Sequence, residues 1–129
     1  MTNREIYTAA LVKLDEPVEE GMNPDYDERA PLLIAQFCRL ANEVDAKYRV
    51  AHGMAKRVGK LKACPELDEE FALCDAFVAP AISYLASELV HYDDERFFET
   101  LSEEWTDYMA TVESTLPTAL ESIVQRYAF

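Results

Sequence analysis

The order of hydrophobic and polar residues along the chain predicts helices separated by loops. Near the start, Thr2-x-x-Glu5 has the form of a capping box, which begins a helix. The apolar residues that follow recur at helical spacing and define one face: Ile6, Tyr7, Ala10, Leu11 and Leu14. Residues 15–25 contain proline and glycine breakers, so we expect a loop there.

A second helix should begin near Asp25–Glu28 and end near Gly53, because apolar residues again recur at threes and fours. Pro31 either lies in its first turn or kinks a slightly longer helix. Residues 63–73 have no clean period, which predicts a loop with about one helical turn.

A third helix is expected from Asp75 to His91, with a kink or a restart at Pro80. It is apolar on most sides, as is typical of a central helix. After a cap at Asp93 or Asp94, a fourth helix has the most regular apolar stripe of the chain: Phe97, Leu101, Trp105, Tyr108, Val112 and Leu116. Beyond Pro117, Thr118-x-x-Glu121 can begin a short last helix.

These elements predict an all-α fold, a single domain over residues 1–129 built as a helical bundle of four main helices plus a short C-terminal one. Only three glycines occur in 129 residues, too few and too scattered for a phosphate-binding loop. The expected core contains ten residues: Leu33, Phe37, Leu40, Val44, Ile82, Leu85, Leu89, Leu101, Trp105 and Val112.

The net charge of −13 argues against general or sequence-specific binding to nucleic acid. Residues 47–62 differ from the rest, because they contain six basic residues and no acidic one. We call this stretch the basic segment. It is either a solvated loop that balances acidic neighbours or a patch that docks on an acidic surface. The candidate partner-binding residues are Lys56, Arg57, Lys60 and Lys62.

No signal peptide is apparent, and no apolar run is long enough to cross a bilayer, so we expect a cytosolic protein without a membrane partner. Cys38, Cys64 and Cys74 are odd in number and form no C-x-x-C. They should be free and reduced, with Cys38 and Cys74 acting as small buried apolar residues.

Two acidic patterns resemble metal sites. Glu88-x-x-His91 is the unit that di-iron bundles use twice, but the second copy is absent, since Arg49 precedes His52 where a glutamate is needed. We therefore interpret His91 as a residue that caps the helix. The paired E-x-x-E and E-x-x-D motifs of Mg²⁺-dependent nucleotide pyrophosphohydrolases are matched by Glu66-x-x-Glu69 and Glu104-x-x-Asp107. However, 34 residues separate the two pairs, which is more than is usual in that family. We predict no catalytic, cofactor-binding or metal residues.

The stretches NREIYTAALVKL, DYDERAPLLIAQFC and LDEEFALCDAFVAPAISYLASELVHYDDERFFETLSEEWTDYM resemble small helical proteins of tailed phages and prophages, the head–tail connector (adaptor) class. The resemblance covers most of residues 3–127 and consists of packing patterns. It implies a non-enzymatic structural protein without cofactors, made in the cytoplasm of a bacterial host and assembled into the virion.

The resemblance further implies that copies form or join a ring at the portal vertex, with portal and tail proteins as partners. Two other classes stay open. One is the Mg²⁺-dependent pyrophosphohydrolase that would use Glu66, Glu69, Glu104 and Asp107. The other is a helical binding module or an assembly chaperone.

Overall fold

The computed structural model describes residues 1–116. All regular secondary structure in this part of the chain is helical. Its elements are, in order, α1 (Asn3–Lys13), α2 (Pro24–Ala51), a 3₁₀ turn (Asp75–Phe77), α3 (Val78–Val90) and α4 (Glu95–Ser114). Within this range no strand forms, and the one β-bridge joins Thr2 to Glu70. The predicted all-α class is confirmed, whereas the last helix predicted from Thr118 lies outside the described residues.

The helix starts follow from local side-chain chemistry. The capping box of α1 is present: the Glu5 amide donates to the Thr2 hydroxyl at 3.2 Å, and the Thr2 amide donates to the Glu5 carboxylate at 3.2 Å. Asp94 is the residue that caps α4, since its carboxylate accepts from the Phe97 amide at 3.0 Å. These bonds satisfy amides that a helix leaves without partners in its first turn.

The two helices that contain proline begin differently from each other. In α2, Pro24 occupies the first turn and Pro31 lies inside a helix that continues past it, so the predicted start near Asp25 is one residue late. Before α3, the 3₁₀ turn precedes a new start at Val78, and Pro80 lies in the first turn, where its missing amide costs no hydrogen bond. Of the two outcomes predicted at Pro80, a kink or a restart, the chain shows a restart, which lies at Val78, two residues before the proline.

The α3 helix packs against α1, α2 and α4, which explains why it is apolar on most sides. Four predicted core residues are buried, namely Phe37, Leu85, Leu89 and Leu101. Five others are partly buried against this core: Leu33, Val44, Ile82, Trp105 and Val112.

The prediction that Leu40 lies in the core is wrong, because 52% of its surface is exposed. The buried face of α2 runs through Ala30, Ile34, Phe37 and Ala41. On a helix, Leu40 points about 100° away from its neighbour Ala41. The buried face thus combines the large side chains of Ile34 and Phe37 with two alanines, and Leu40 lies outside it.

No helix in residues 1–116 combines the length and the apolar character that crossing a bilayer requires.

Candidate interaction site

The basic segment is fastened to the helical body by a buried ion pair on α2. The Asp45 carboxylate lies 3.0 Å from Nε of Arg49 and accepts the amide of Cys74 at 2.9 Å. Arg49 in turn donates to the carbonyls of Ala55 at 3.2 Å and Ala72 at 3.4 Å. The Asp45 side chain is only 2% exposed, so these bonds form largely out of water. One ion pair thus holds both the basic segment and the loop before α3.

A second arginine fixes the tip of the segment. Nη2 of Arg57 donates to the Asn42 amide oxygen at 2.8 Å, and Nη1 donates to the Gly59 carbonyl at 2.8 Å. The chain leaves α2 at Gly53, whose φ of +65° suits glycine at a helix end. The segment therefore has a defined shape although it contains no helix beyond Ala51.

The structure separates the four candidate partner-binding residues into two pairs. Arg57 is bound within the chain as described, and Nζ of Lys62 lies 2.8 Å from the Glu69 carboxylate, which lowers the pKa of Glu69. Lys56 and Lys60 are exposed, and no carboxylate of residues 1–116 lies within 4.0 Å of either ammonium group. Two of the four candidates are therefore bonded within the chain, and the other two face solvent.

Between the two exposed lysines lies Val58, whose surface is 96% exposed. A fully exposed aliphatic side chain is ordinary when it is alone. Here Arg57 fixes the backbone on which Val58 stands, and lysines flank it on both sides. Val58 and the two lysines therefore form a small exposed surface that is apolar at its centre and positively charged.

A cavity of about 210 Å³ lies between the basic segment and the helices. Ile34 and Cys38 of α2, Leu61 of the segment and Asn3 of α1 contribute to its lining. Burial raises the pKa of the Cys38 thiol to about 11, which disfavours the reactive thiolate at neutral pH. The volume is below the roughly 300–1,000 Å³ that ligand pockets usually have.

The outer face of α4 has the opposite charge. The inner face packs on α3, where Trp105 meets Tyr84 edge to face at 5.2 Å and Glu104 accepts from the Ser83 hydroxyl at 2.9 Å. On the other side of the helix, five acidic residues and one basic residue are exposed: Glu95, Arg96, Glu99, Glu103, Asp107 and Glu113. Four of the acids are spaced by four, and like charges at that spacing destabilise a helix by about 0.2–0.5 kcal/mol per pair.

The His91 ring and the backbone of Glu88 are used in other contacts. The His91 ring stacks on Phe98 with centroids 3.7 Å apart and also on Tyr92 at 4.8 Å. The Glu88 carbonyl accepts from Arg29 at 2.8 Å. In the part of the chain that the structure describes, no three His, Cys, Asp or Glu side chains come together as metal ligands.

The four carboxylates of the pyrophosphohydrolase pattern lie near opposite ends of α1. The loop at Glu66 and Glu69 binds the start of α1, where the Asn3 amide donates to the Glu69 carbonyl at 2.9 Å. Glu104 instead forms an ion pair with Lys13 at the other end of the helix. These ends are about 15 Å apart, so the two carboxylate pairs do not share one ion.

Comparison of the chain with protein-family models, with curated proteins and with solved structures gives no significant match in any of the three.

Proposed function

We propose that this chain is a non-enzymatic structural assembly protein of the head–tail connector class of tailed phages and prophages. In this role, copies form or join a ring at the portal vertex and contact portal and tail proteins. The proposal depends above all on one observation: an acidic helical body presents two exposed lysines on a segment that Arg49 and Arg57 hold in place.

An anchored segment is better suited to docking than a mobile one. Association has to order whatever is disordered beforehand, at about 0.5–1.5 kcal/mol for each side chain that is immobilised. In the basic segment the backbone beside Lys56 and Lys60 is already held, because the Ala55 carbonyl accepts from Arg49 and the Gly59 carbonyl accepts from Arg57. Its charges then supply orientation and a fast encounter with an acidic surface.

The helical body supplies the second requirement of an assembly protein, a platform that keeps its surfaces in fixed positions. We propose that α1–α4 form a bundle in which α3 joins the other three helices, as its contacts with each of them support. In a ring of such subunits, the −13 charge of each chain makes the wall strongly negative. A negative wall repels phosphate and lets DNA pass without binding.

Deletion of the gene in the phage or prophage that encodes the chain tests this function. We expect DNA-filled heads and separate tails to accumulate, with infectivity restored by the wild-type gene supplied in trans. Complementation with Lys56→Glu/Lys60→Glu should fail, whereas Glu19→Lys/Glu20→Lys, which changes two exposed loop residues, should restore infectivity. Complete particles in the deletion strain would refute the proposal.

A further inference from the structure

The outer face of α4 and the basic segment are complementary surfaces on one chain. We infer that the basic segment of one copy docks on the outer face of α4 of a second copy. The inference deepens the proposed function, on which it rests for the claim that copies assemble, by naming both surfaces of the contact. It makes the contact heterologous, with a different patch on each partner.

The charges of the two surfaces are opposite and both are exposed. The segment offers Lys56 and Lys60, while α4 offers Glu95, Glu99 and Glu103 on successive turns. These carboxylates lie about 6 Å from one another along the helix, so two lysines that flank a small apolar tip can each approach one of them. Arg96 is the single basic residue on this face, and it leaves the balance of the face negative.

Within one molecule, no ion pair of residues 1–116 joins Lys56 or Lys60 to a carboxylate of α4. Both α2 and α4 pack on α3, and Trp105 and Glu104 orient the inner face of α4 toward α3. The exposed acidic residues lie on the side of α4 that faces away from α3. A second copy of the chain carries a surface of opposite charge for each of these two surfaces.

Contacts between unlike patches propagate from copy to copy. Each bound subunit still presents a free segment on one side and a free α4 face on the other. Such a contact generates a closed ring if the rotation between copies closes and an open filament if it does not. The inferred contact thus supplies the geometry that the proposed ring requires.

A charge exchange tests the inference directly on the full-length protein by sedimentation velocity. Variant one is Lys56→Glu/Lys60→Glu, and variant two is Glu99→Lys/Glu103→Lys. The wild type should self-associate with a Kd below about 1 mM, and each variant alone should associate at least about tenfold more weakly. An equimolar mixture of both, and a chain carrying all four substitutions, should regain association, because opposite charges face each other again.

Two controls separate the contact from net charge. Glu19→Lys/Glu20→Lys makes the same change in net charge as variant two but lies in the loop after α1, so association should persist. Arg96→Glu makes the chain more negative and should not weaken association. Circular dichroism confirms that each variant keeps the helical content of the wild type.

Several results would overturn the inference. The first is a wild type that stays monomeric up to about 1 mM. The second is self-association that persists in either charge-reversal variant. The third is an equimolar mixture of the two variants that does not regain association. Loss of association in the loop control would also overturn it. If infectivity still depends on Lys56 and Lys60 after such a result, the proposed function stands with another docking partner. Conversely, charge-dependent self-association with complete particles in the deletion strain refutes the function alone.

Discussion

Removal of the Asp45 carboxylate should destabilise the protein far more than removal of an exposed carboxylate on the same helix. Asp45→Ala deletes the ion pair with Arg49 and leaves the Cys74 amide without its acceptor. The Arg49 side chain is only 17% exposed, so water replaces the lost partner poorly. Breaking a buried pair from one side typically costs about 3–5 kcal/mol.

The matched control is Glu43→Ala. Glu43 also lies four residues before a basic residue on α2, but its carboxylate is 85% exposed and 4.0 Å from Lys47. An exposed pair of this kind contributes about 0–1 kcal/mol. Asp45→Asn should fall between the two, because its amide oxygen can still accept from Cys74 while the ion pair is lost.

Urea unfolding followed by circular dichroism measures these differences. Asp45→Ala should lower the midpoint strongly, since small domains have only about 5–15 kcal/mol of stability in total. Hydrogen exchange should also rise in residues 55–74, because Arg49 no longer holds Ala55 and Ala72. Equal unfolding free energies for Asp45→Ala and Glu43→Ala would refute the claim that a buried ion pair anchors the basic segment.

Three further predictions follow from burial and charge. Leu85→Ala should cost about 2–5 kcal/mol in urea unfolding, whereas Leu40→Ala should change stability by less than about 1 kcal/mol; similar costs would contradict the assignment of the α2 face. A thiol reagent followed by mass spectrometry should label the exposed Cys64 quickly and the buried Cys38 only after unfolding. Although burial alone would raise the pKa of Glu104, its hydrogen bonds lower it, so its stabilisation is present at neutral pH and is lost as pH falls. Glu104→Gln should therefore lose less stability than the wild type between about pH 6 and about pH 3, and identical pH profiles would count against this.

The sequence predicts well where helices begin, because the signals for a helix start are local. Three such signals depend on atoms within one helical turn: the capping box at Thr2, the cap at Asp94 and the proline in the first turn of α3. Hydrophobic spacing likewise predicts the buried face of α1 without knowledge of its neighbours. The apolar residues at helical spacing, including Ile6, Ala10 and Leu11, are buried in the structure.

The exact orientation of α2 is less predictable, because close packing there uses small residues. The largest side chains favour a face that includes Leu40, but the buried face includes the small residues Ala30 and Ala41 instead. The burial of Asp45 is not predictable from spacing either, because a charged residue resembles an exposed position until its partners are known. Its one local signal is Arg49, four residues later on the same helix.

The functions of individual basic residues also depend on the fold. The sequence alone does not distinguish the four candidate basic residues, Lys56, Arg57, Lys60 and Lys62. Only the structure shows that Arg57 and Lys62 bond within the chain, to Asn42 and Glu69, while the other two face solvent. Such partners are distant along the chain, so spacing alone does not reveal them.

The central claim is that the chain is a structural component of a phage particle. Quantitative mass spectrometry of purified, DNA-filled particles measures this most directly, with the portal protein as internal standard. The account predicts several copies per particle at a fixed ratio to portal, as a ring requires. Absence of the chain from complete particles would contradict it and would favour an assembly chaperone that leaves before maturation.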